Sequence, residues 1–195
     1  MATTHTRLMT FAEFEQLPEP QSCRYELRHG ELVTVAPPKH KHYLVQRRLR
    51  RLLESAAGDA GEVDTEMAFR ALPEHEYRLA DVAFVTNLRW VQISPEGNLH
   101  GVPELVIEVL SPSNTVAEII DKKTVCLENG SREFWVVDIE HRQVEVSTPD
   151  GRGKTYKSGQ RIPLFFAEDV QLAVRHFCVK QRACRTISRF LYPAF

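Results

Sequence analysis

The apolar run "LVIEVL" at residues 105–110 constrains the fold of this chain more than any other feature. Pro103 precedes the run and a polar turn containing Pro112 follows it, so the run is bounded as a short strand. Successive side chains of a strand point to opposite faces, and here both faces are apolar except at Glu108. The chain therefore needs a sheet that is covered on both faces and carries one carboxylate into its interior.

Glu108 needs a compensating partner, because burying an unpaired ionised carboxylate is strongly unfavourable. It could form an ion pair with an arginine, lie at a strand end open to water, or belong to a functional site. A second apolar strand at 77–85 carries another acid, Asp81, near its beginning. Mg²⁺ is held by one or two carboxylates together with waters and substrate phosphate oxygens. Two acids on two neighbouring strands therefore favour a metal site.

The helix after Glu108 contains the sequence Asp121-Lys122-Lys123. A lysine beside a metal site can orient the attacking water or stabilise the transition state of phosphoryl transfer. Solvated lysines are equally common on the surfaces of helices, so the lysine pair by itself leaves both interpretations open.

Turn and helix-cap signals divide the rest of the chain into a series of elements. Thr10 and Glu13 have the spacing of a capping box, which predicts a short helix through Leu17, and His29-Gly30 supplies a hairpin turn. The series continues with a hairpin at 24–35, a helix at 41–57, strands near 62–71, 79–86 and 103–110, a helix at 115–129 capped by Asn114, and strands near 132–138, 142–148 and 153–158. This order predicts an α/β or α+β fold, in which helices flank a central mixed sheet.

The length of 195 residues fits one domain, which we place at 1–179, followed by a basic tail at 180–195. No apolar run approaches the roughly 18 residues that cross a bilayer, and the first residues lack the apolar core of a signal peptide. We therefore expect a cytoplasmic protein without membrane association. The four cysteines form no CxxC pair, which argues against a cysteine-based zinc site.

The formal net charge of −1 argues against sequence-blind coating of nucleic acid, but it leaves room for a local basic surface. Residues 39–53 contain six cations and no acid, namely Lys39, Lys41, Arg47, Arg48, Arg50 and Arg51. A second basic segment covers 175–195. Each segment could be a solvated face or a contact surface for nucleic acid.

Six segments of the chain, in order, resemble the PD-(D/E)XK nuclease superfamily. The closest resemblance is to a family of bacterial restriction-endonuclease-like proteins, long described as a domain of unknown function. The segments are "RYELRHGELV" (24–33), "APPKHKHYLVQRRL" (36–49), "YRLADVAFV" (77–85), "PELVIEVLSPSN" (103–114), "DKKTVCLENGSREFWVVD" (121–138) and "QVEVSTPDG" (143–151). The resemblance implies a restriction-endonuclease-like fold with an N-terminal β-hairpin, a central mixed sheet flanked by helices, and an acidic metal site.

Within this resemblance, Asp81 matches the family's strand aspartate, which usually follows a proline and here follows Ala80. Glu108 matches the acid of the second motif. The wider superfamily has a lysine two residues after that acid, where this chain has Leu110. The resemblance therefore places the metal site at Asp81 and Glu108 and requires the lysine to come from elsewhere.

The close family carries its lysine on the following helix, in a pattern like K-x-x-x-Y-x-x-x-G. Lys122 and Gly130 keep that spacing, with Cys126 in place of the tyrosine, and Lys123 is the alternative if the register shifts by one residue. Two further matches are possible accessory residues. They are Glu26 in the N-terminal hairpin and His42 at the start of the first long helix.

The resemblance implies a Mg²⁺- or Mn²⁺-dependent endonuclease acting on DNA. Asp81, Glu108 and the backbone carbonyl of Val109 would bind the metal, and Lys122 would position the attacking water. We expect a homodimer acting on double-stranded DNA, whose phosphates would be contacted by Lys39, Lys41, Arg47, Arg48 and Arg51.

Two other functions stay open. A fold does not fix a function, so the domain could bind nucleic acid or a protein partner without cutting. It could also hydrolyse a nucleotide or small molecule, although the chain has no glycine-rich GxxxxGK[ST] phosphate loop.

Overall fold

The computed structural model describes residues 7–177 as eleven strands and four α-helices. In chain order they are α1 (Phe11–Phe14), β1 (Arg24–Arg28), β2 (Glu31–Val35), α2 (His40–Ala57), β3 (Gly61–Arg70), β4 (Arg78–Thr86), α3 (Asn87–Trp90), β5 (Leu99–His100), β6 (Leu105–Val109), α4 (Val116–Glu128), β7 (Glu133–Asp138), β8 (Gln143–Ser147), β9 (Gly153–Lys157), β10 (Arg161–Leu164) and β11 (Ala167–Ala173). The predicted tail at 180–195 lies outside the described residues. Within 7–177, no helix is long and apolar enough to span a membrane.

Seven strands form the central sheet, in the order β5-β3-β4-β6-β7-β8-β9. Strands β6 and β7 are parallel and are connected through α4, and β3 also runs parallel to the short β5, whereas the other neighbours are antiparallel. The sheet is mixed and flanked by helices, as the sequence predicts.

Each face of the sheet has its own hydrophobic core. On one face, α2 packs Leu49 and Leu53 against Leu105 and Ile107 of β6. On the other face, α4 packs beside Val106 of the same strand. All five residues of β6 are buried, which confirms the prediction of a strand covered on both faces.

The predicted elements match the observed ones closely, except that α1 ends at Phe14 and not at Leu17 and that one helix cap needs correction. Thr115, not Asn114, caps α4, because its hydroxyl accepts from the backbone of Glu118 while the Glu118 carboxylate accepts from the backbone of Thr115. Asn114 instead accepts a hydrogen bond from the backbone of Ser111 at 2.8 Å. The sequence analysis missed α3, β5 and the hairpin of β10 and β11, which are short or mostly polar.

The hairpin of β1 and β2 lies outside the central sheet and is held against the start of β4. Leu27 and Tyr77 exchange two backbone hydrogen bonds of 2.9 Å. The turn residues His29 and Gly30 both have positive φ, 50° and 78°, as the favoured two-residue hairpin turn requires. The hairpin carries Glu26 toward the interior, where that side chain is 2% exposed.

At one level of the sheet, the alternation of side chains between the two faces is interrupted in both β3 and β4. Val63 packs in the core beneath α2, whereas Phe69, six residues later on β3, packs in the core beneath α4. An uninterrupted strand would place both on one face. The reversal coincides with Glu66, whose φ of 55° lies in the left-handed region. Asp81 of β4 lies opposite Glu66 in the register and marks the same change on that strand.

Candidate active site

Strands β4 and β6 separate at Asp81, and two carboxylates fill the gap between them. The strands pair only where Val82–Phe84 faces Leu105–Ile107. Beyond this point Asp81 Oδ2 accepts a hydrogen bond of 2.6 Å from the backbone N–H of Val109. The backbone N–H of Asp81 in turn points to Glu108 Oε1 at 3.4 Å. The carboxylates therefore take the place of main-chain acceptors, which explains why an apolar strand carries Glu108.

Lys122 reaches the same gap from α4. The capping box of Thr115 and Glu118 fixes the start of this helix, and two turns later the Lys122 side chain points into the sheet. Its Nζ donates to Glu108 Oε1 at 2.7 Å and to the backbone carbonyl of Leu79. Lys122 is 8% exposed, so a charged group from a helix face is almost completely enclosed.

Glu26 completes the group from the side of the hairpin. Its Oε1 accepts from the backbone N–H of Leu79 at 2.8 Å and lies 3.9 Å from Lys122 Nζ, while its Oε2 is 2.7 Å from the guanidinium of Arg28. The structure thus brings together four of the residues that the sequence singles out. We call this group the carboxylate cluster, and it consists of Glu26, Asp81, Glu108 and Lys122.

The structure also shows which of the two adjacent lysines of α4 reaches the carboxylate cluster. Lys123, the alternative lysine, points away from the carboxylate cluster and pairs with Glu145 of β8 at 3.1 Å. Cys126, one turn after Lys122, is fully buried, and burial raises the pKa of its thiol to about 12. The cysteine is therefore a packing residue and not a nucleophile.

Helix α2 supplies two more polar side chains to Asp81. His42 Nε2 lies 2.9 Å from Asp81 Oδ2. The fully buried Gln46 donates from Nε2 to Asp81 Oδ1 at 2.9 Å and also to the carboxylate of Glu66. Glu66 is held from its other side by Arg24 at 3.2 Å. The amide of Gln46 therefore links two carboxylates on adjacent strands.

Gln46 and Glu66 are site residues that the sequence analysis missed. Gln46 leaves a readable signal, because it shares the buried face of α2 with His42, Leu49 and Leu53 and is a polar residue at an apolar position. Glu66 leaves none. Its position beside Asp81 depends on a left-handed backbone angle, which the sequence pattern of β3 does not predict.

The electrostatics of the carboxylate cluster follow from burial and crowding. Burial raises the pKa of Glu108 to about 7, with Asp81 and Glu26 acting in the same direction and Lys122 opposing them. Burial disfavours the charge of Lys122, but the three carboxylates outweigh it and raise the pKa of Lys122. Burial also opposes the charge of His42, yet Asp81 raises the pKa of His42 above its usual range. One protonated lysine thus serves three carboxyl groups.

The donor set fits a hard divalent cation of the Mg²⁺ type. Among residues 7–177 no three His, Cys, Asp or Glu side chains converge as a ready-made metal cage. Mg²⁺ does not need such a cage, because it keeps several waters and uses only one or two carboxylates. Glu108 Oε1 takes the contacts with Lys122 and the Asp81 backbone, and no donor in the described part of the chain contacts its Oε2. A closed zinc site would need four protein ligands, which this gap does not offer.

Comparison with known proteins identifies the family. A family model described as "Uma2: Putative restriction endonuclease" matches residues 11–175. The chain belongs to the Uma2 family. Among solved structures it is similar to "a putative nuclease belonging to DUF820 from Anabaena variabilis ATCC 29413", with a TM-score of 0.75, 20% sequence identity, and coverage of 87% of this chain and 97% of that chain. No curated protein gives a significant match.

The Uma2 match confirms the predicted family and indicates a nuclease, and the structural likeness confirms the restriction-endonuclease-like fold. The match spans the three strands and the helix that supply the carboxylate cluster.

In this Uma2 chain, the five predicted DNA-contacting residues do not form one surface. Lys39 is the N-cap residue of α2, and the other four lie along that helix. Lys41 pairs with Glu140, on the flank of α2 that also carries Arg48. Arg47 and Arg51 instead line a pocket together with Tyr43 and Thr65. The structure therefore splits the predicted basic segment in two.

Proposed function

We propose that this chain is a metal-dependent endonuclease that hydrolyses phosphodiester bonds of double-stranded DNA. One observation carries the proposal, namely the convergence of Asp81, Glu108 and Lys122 from three different elements. They meet where β4 and β6 separate, with Asp81 held by the backbone of Val109 at 2.6 Å and Glu108 held by Lys122 at 2.7 Å. A carboxylate pair can hold a metal ion that activates water, and a fixed lysine beside it can stabilise the negative charge that develops on the phosphate.

Asp81, Glu108 and the backbone carbonyl of Val109 would hold Mg²⁺ or Mn²⁺, which when bound activates water and neutralises charge on the phosphodiester. Gln46 and His42 keep the Asp81 carboxylate in one orientation from the side of α2. The charge of Lys122 is secured by its carboxylate neighbours, so its ammonium can orient the attacking water and stabilise negative charge on the phosphate oxygens.

Glu26 acts through Lys122 in this proposal. Its carboxylate is fixed by Arg28 and by the backbone of Leu79, and its Oε1 lies 3.9 Å from Lys122 Nζ. Burial opposes its ionisation, but Lys122 and Arg28 outweigh that effect and lower the pKa of Glu26. Glu26 therefore stays ionised and holds the lysine between two strands. Homodimer formation, which would allow both strands of a duplex to be cut, remains our expectation.

Plasmid cleavage tests the proposal. The full chain should nick or linearise supercoiled plasmid in Mg²⁺ or Mn²⁺ and lose this activity in EDTA. Asp81→Asn and Glu108→Gln should each reduce the rate by about 10²-fold or more. The exposed Glu62 of β3 gives a matched control, and Glu62→Gln should cut at the wild-type rate.

Retained Mg²⁺-dependent cleavage in folded Asp81→Asn protein would overturn the assignment. The rival function, a domain that binds nucleic acid without cutting, predicts a different pattern. Such a domain would show no cleavage in any metal, and its DNA affinity would not depend on Asp81 or Glu108. Calorimetric titration with Mn²⁺ separates the two, because the nuclease should lose metal binding in both variants.

A further inference from the structure

Three arginines of α2 line a pocket of about 210 Å³ next to the carboxylate cluster. The pocket is lined by Tyr43, Arg47, Arg50, Arg51, Glu54 and Thr65. It adjoins the site through two chain neighbours. Arg47 follows Gln46, which contacts Asp81, and Thr65 precedes Glu66, which contacts the same Gln46. The pocket and the candidate active site are therefore neighbours along both α2 and β3.

Helix geometry explains why only some of the basic residues of α2 reach this pocket. Successive residues of an α-helix are about 100° apart, so positions four or seven residues apart share a flank. Tyr43, Arg47, Arg50 and Glu54 follow this spacing on the flank beside Gln46. Lys41 and Arg48 fall on the opposite side of the buried face. The pocket thus selects Arg47 and Arg51 from the predicted group and adds Arg50.

Two of the three guanidinium groups are available to an anion. Within residues 7–177, neither Arg47 nor Arg51 contacts a carboxylate. The guanidinium carbon of Arg47 lies 5.9 Å from the ring centre of Tyr43. Both arginines are exposed at the surface.

Arg50 plays a different part, because it is already fixed by the protein. Its Nε donates to the backbone carbonyl of Val63 at 3.1 Å, and its guanidinium lies 3.7 Å from Glu54 and 3.6 Å from Asp64. These two carboxylates therefore contact Arg50 and leave Arg47 and Arg51 uncompensated. Guanidinium groups match the geometry of phosphate oxygens. The pocket therefore offers the unpaired guanidinium groups of Arg47 and Arg51 to an anion, next to Arg50, which the protein holds in place.

We propose that this pocket binds a backbone phosphate of the substrate strand, close to the phosphate that is cut. The proposal rests on the proposed function, because it identifies the substrate as a nucleic acid strand that passes over Asp81. Arg47 directly follows Gln46, whose amide contacts Asp81. The pocket therefore suits a phosphate that neighbours the scissile one along the same strand.

A phosphate held in this pocket would set the register of the strand over the carboxylate cluster without reading its bases. Tyr43 stands at the mouth of the pocket, 45% exposed, where its ring can contact the sugar next to the bound phosphate. This arrangement predicts tight positioning with little sequence preference from this part of the protein.

Fluorescence anisotropy with a fluorescein-labelled 20-bp duplex tests the pocket. The full chain is titrated in EDTA, so that no cleavage occurs, at several NaCl concentrations. Arg47→Ala/Arg51→Ala should weaken binding by about tenfold or more and should reduce the slope of log affinity against log salt by about one. The matched control is Lys41→Ala/Arg48→Ala, which removes two cations from the opposite flank of the same helix and should change both quantities much less.

Equal losses in the two double variants would overturn the proposal, because general charge attraction would then explain the binding. All four residues are at the surface, and thermal unfolding of each variant checks that the fold is retained. A plasmid cleavage assay on the same proteins separates this proposal from the nuclease assignment. Pocket-dependent binding without any cleavage in Mg²⁺ would refute the nuclease and support the pocket. Cleavage with the same KM for DNA in both double variants would refute the pocket alone.

Discussion

The carboxylate cluster has a neighbouring group of charged side chains that also contains two buried members, Glu76 and Arg78, but that balances its charges differently. This second group, the arginine cluster, consists of His29, Glu76, Arg78 and Asp121. It is adjacent along both β4 and α4, since Arg78 precedes Leu79 and Asp121 precedes Lys122. Both groups also fasten the hairpin of β1 and β2 to the body of the protein.

In the arginine cluster, one guanidinium faces a carboxylate on each side. Arg78 lies 2.6 Å from Glu76 and 3.0 Å from Asp121, and His29 contacts the same two acids at 2.9 and 2.7 Å. Burial opposes the ionisation of Asp121, but His29 and Arg78 outweigh it and hold the pKa of Asp121 below its usual range. This group therefore satisfies its own charges.

In the carboxylate cluster, one ammonium serves three carboxyl groups, and the pKa of Glu108 moves upward instead. Within residues 7–177, Asp81 has no lysine or arginine partner and contacts only His42 among the residues that can carry positive charge. Glu76 and Arg78 are at least as buried as Glu108 and Lys122, so burial alone does not mark a functional site. The difference in charge balance does, because only the carboxylate cluster gains from an added cation.

The largest expected effect is a loss of stability when the arginine cluster is disrupted. Arg78→Met should lower the free energy of unfolding by about 3–5 kcal/mol, because it leaves the fully buried Glu76 without its guanidinium. Urea unfolding monitored by circular dichroism measures the change. Lys123→Met is the control, since it removes one partner of the partly exposed ion pair with Glu145 and should cost about 1 kcal/mol or less. A loss below 1 kcal/mol for Arg78→Met would mean that the arginine cluster is not structural.

The second prediction contrasts two adjacent lysines. Lys122→Met should reduce plasmid cleavage by about 10²- to 10³-fold, because it removes the ammonium that contacts Glu108. Lys123→Met should cleave at close to the wild-type rate. Initial rates at saturating Mg²⁺ measure both, with circular dichroism to verify the fold. Equal activities in the two variants would show that the carboxylate cluster takes no part in catalysis.

Much of this contrast could be predicted from the sequence, but not all of it. Glu108 and Asp81 stand out as acids in apolar strands, and the resemblance to nucleases assigns them a role and points to Lys122. The arginine cluster leaves no comparable signal, because Glu76 and Arg78 precede the apolar part of β4 and read as surface residues. Their burial results from the docking of the hairpin, which is a tertiary contact between residues about 50 positions apart.

The separation of β4 and β6 could not be predicted either. A pattern of alternating residues assumes an uninterrupted ladder, whereas here the ladder ends at Val82 and side chains replace its acceptors. The same limit applies to the basic residues of α2. Their composition predicts a basic surface, but only the orientation of the helix shows that Arg47 and Arg48 face different sides.

The third prediction concerns the dependence of stability on pH. Because burial raises the pKa of Glu108 to about 7 from an ordinary value of 4.5, the folded protein binds more protons than the unfolded chain between these values. The contribution of Glu108 to the stability of the wild type should therefore fall as the pH rises from about 4.5 to 7 and stay level above. Glu108→Gln removes this dependence and leaves Lys122 with Glu26 and Asp81.

At pH 8 the Glu108→Gln variant should thus be as stable as the wild type or more stable, by up to about 2 kcal/mol. Denaturant unfolding at pH 5, 6, 7 and 8 measures the difference, which should grow in favour of the variant with pH. A variant that is several kcal/mol less stable at pH 8 would show that the carboxylate cluster is balanced in the same way as the arginine cluster.

The smallest expected effect concerns the backbone beside each group, where a residue other than glycine adopts positive φ. His29 has a φ of 50° in a hairpin turn that requires it, whereas Glu66 has a φ of 55° within a strand. Glu66→Ala and Glu66→Gly both remove the contacts with Gln46 and Arg24, but only glycine adopts this backbone angle without strain. Glu66→Gly should therefore be more stable than Glu66→Ala by about 1 kcal/mol. If thermal unfolding shows the alanine variant to be the more stable one, the left-handed angle is not imposed at this position, and the turning of β3 that brings Glu66 to face Asp81 must have another cause.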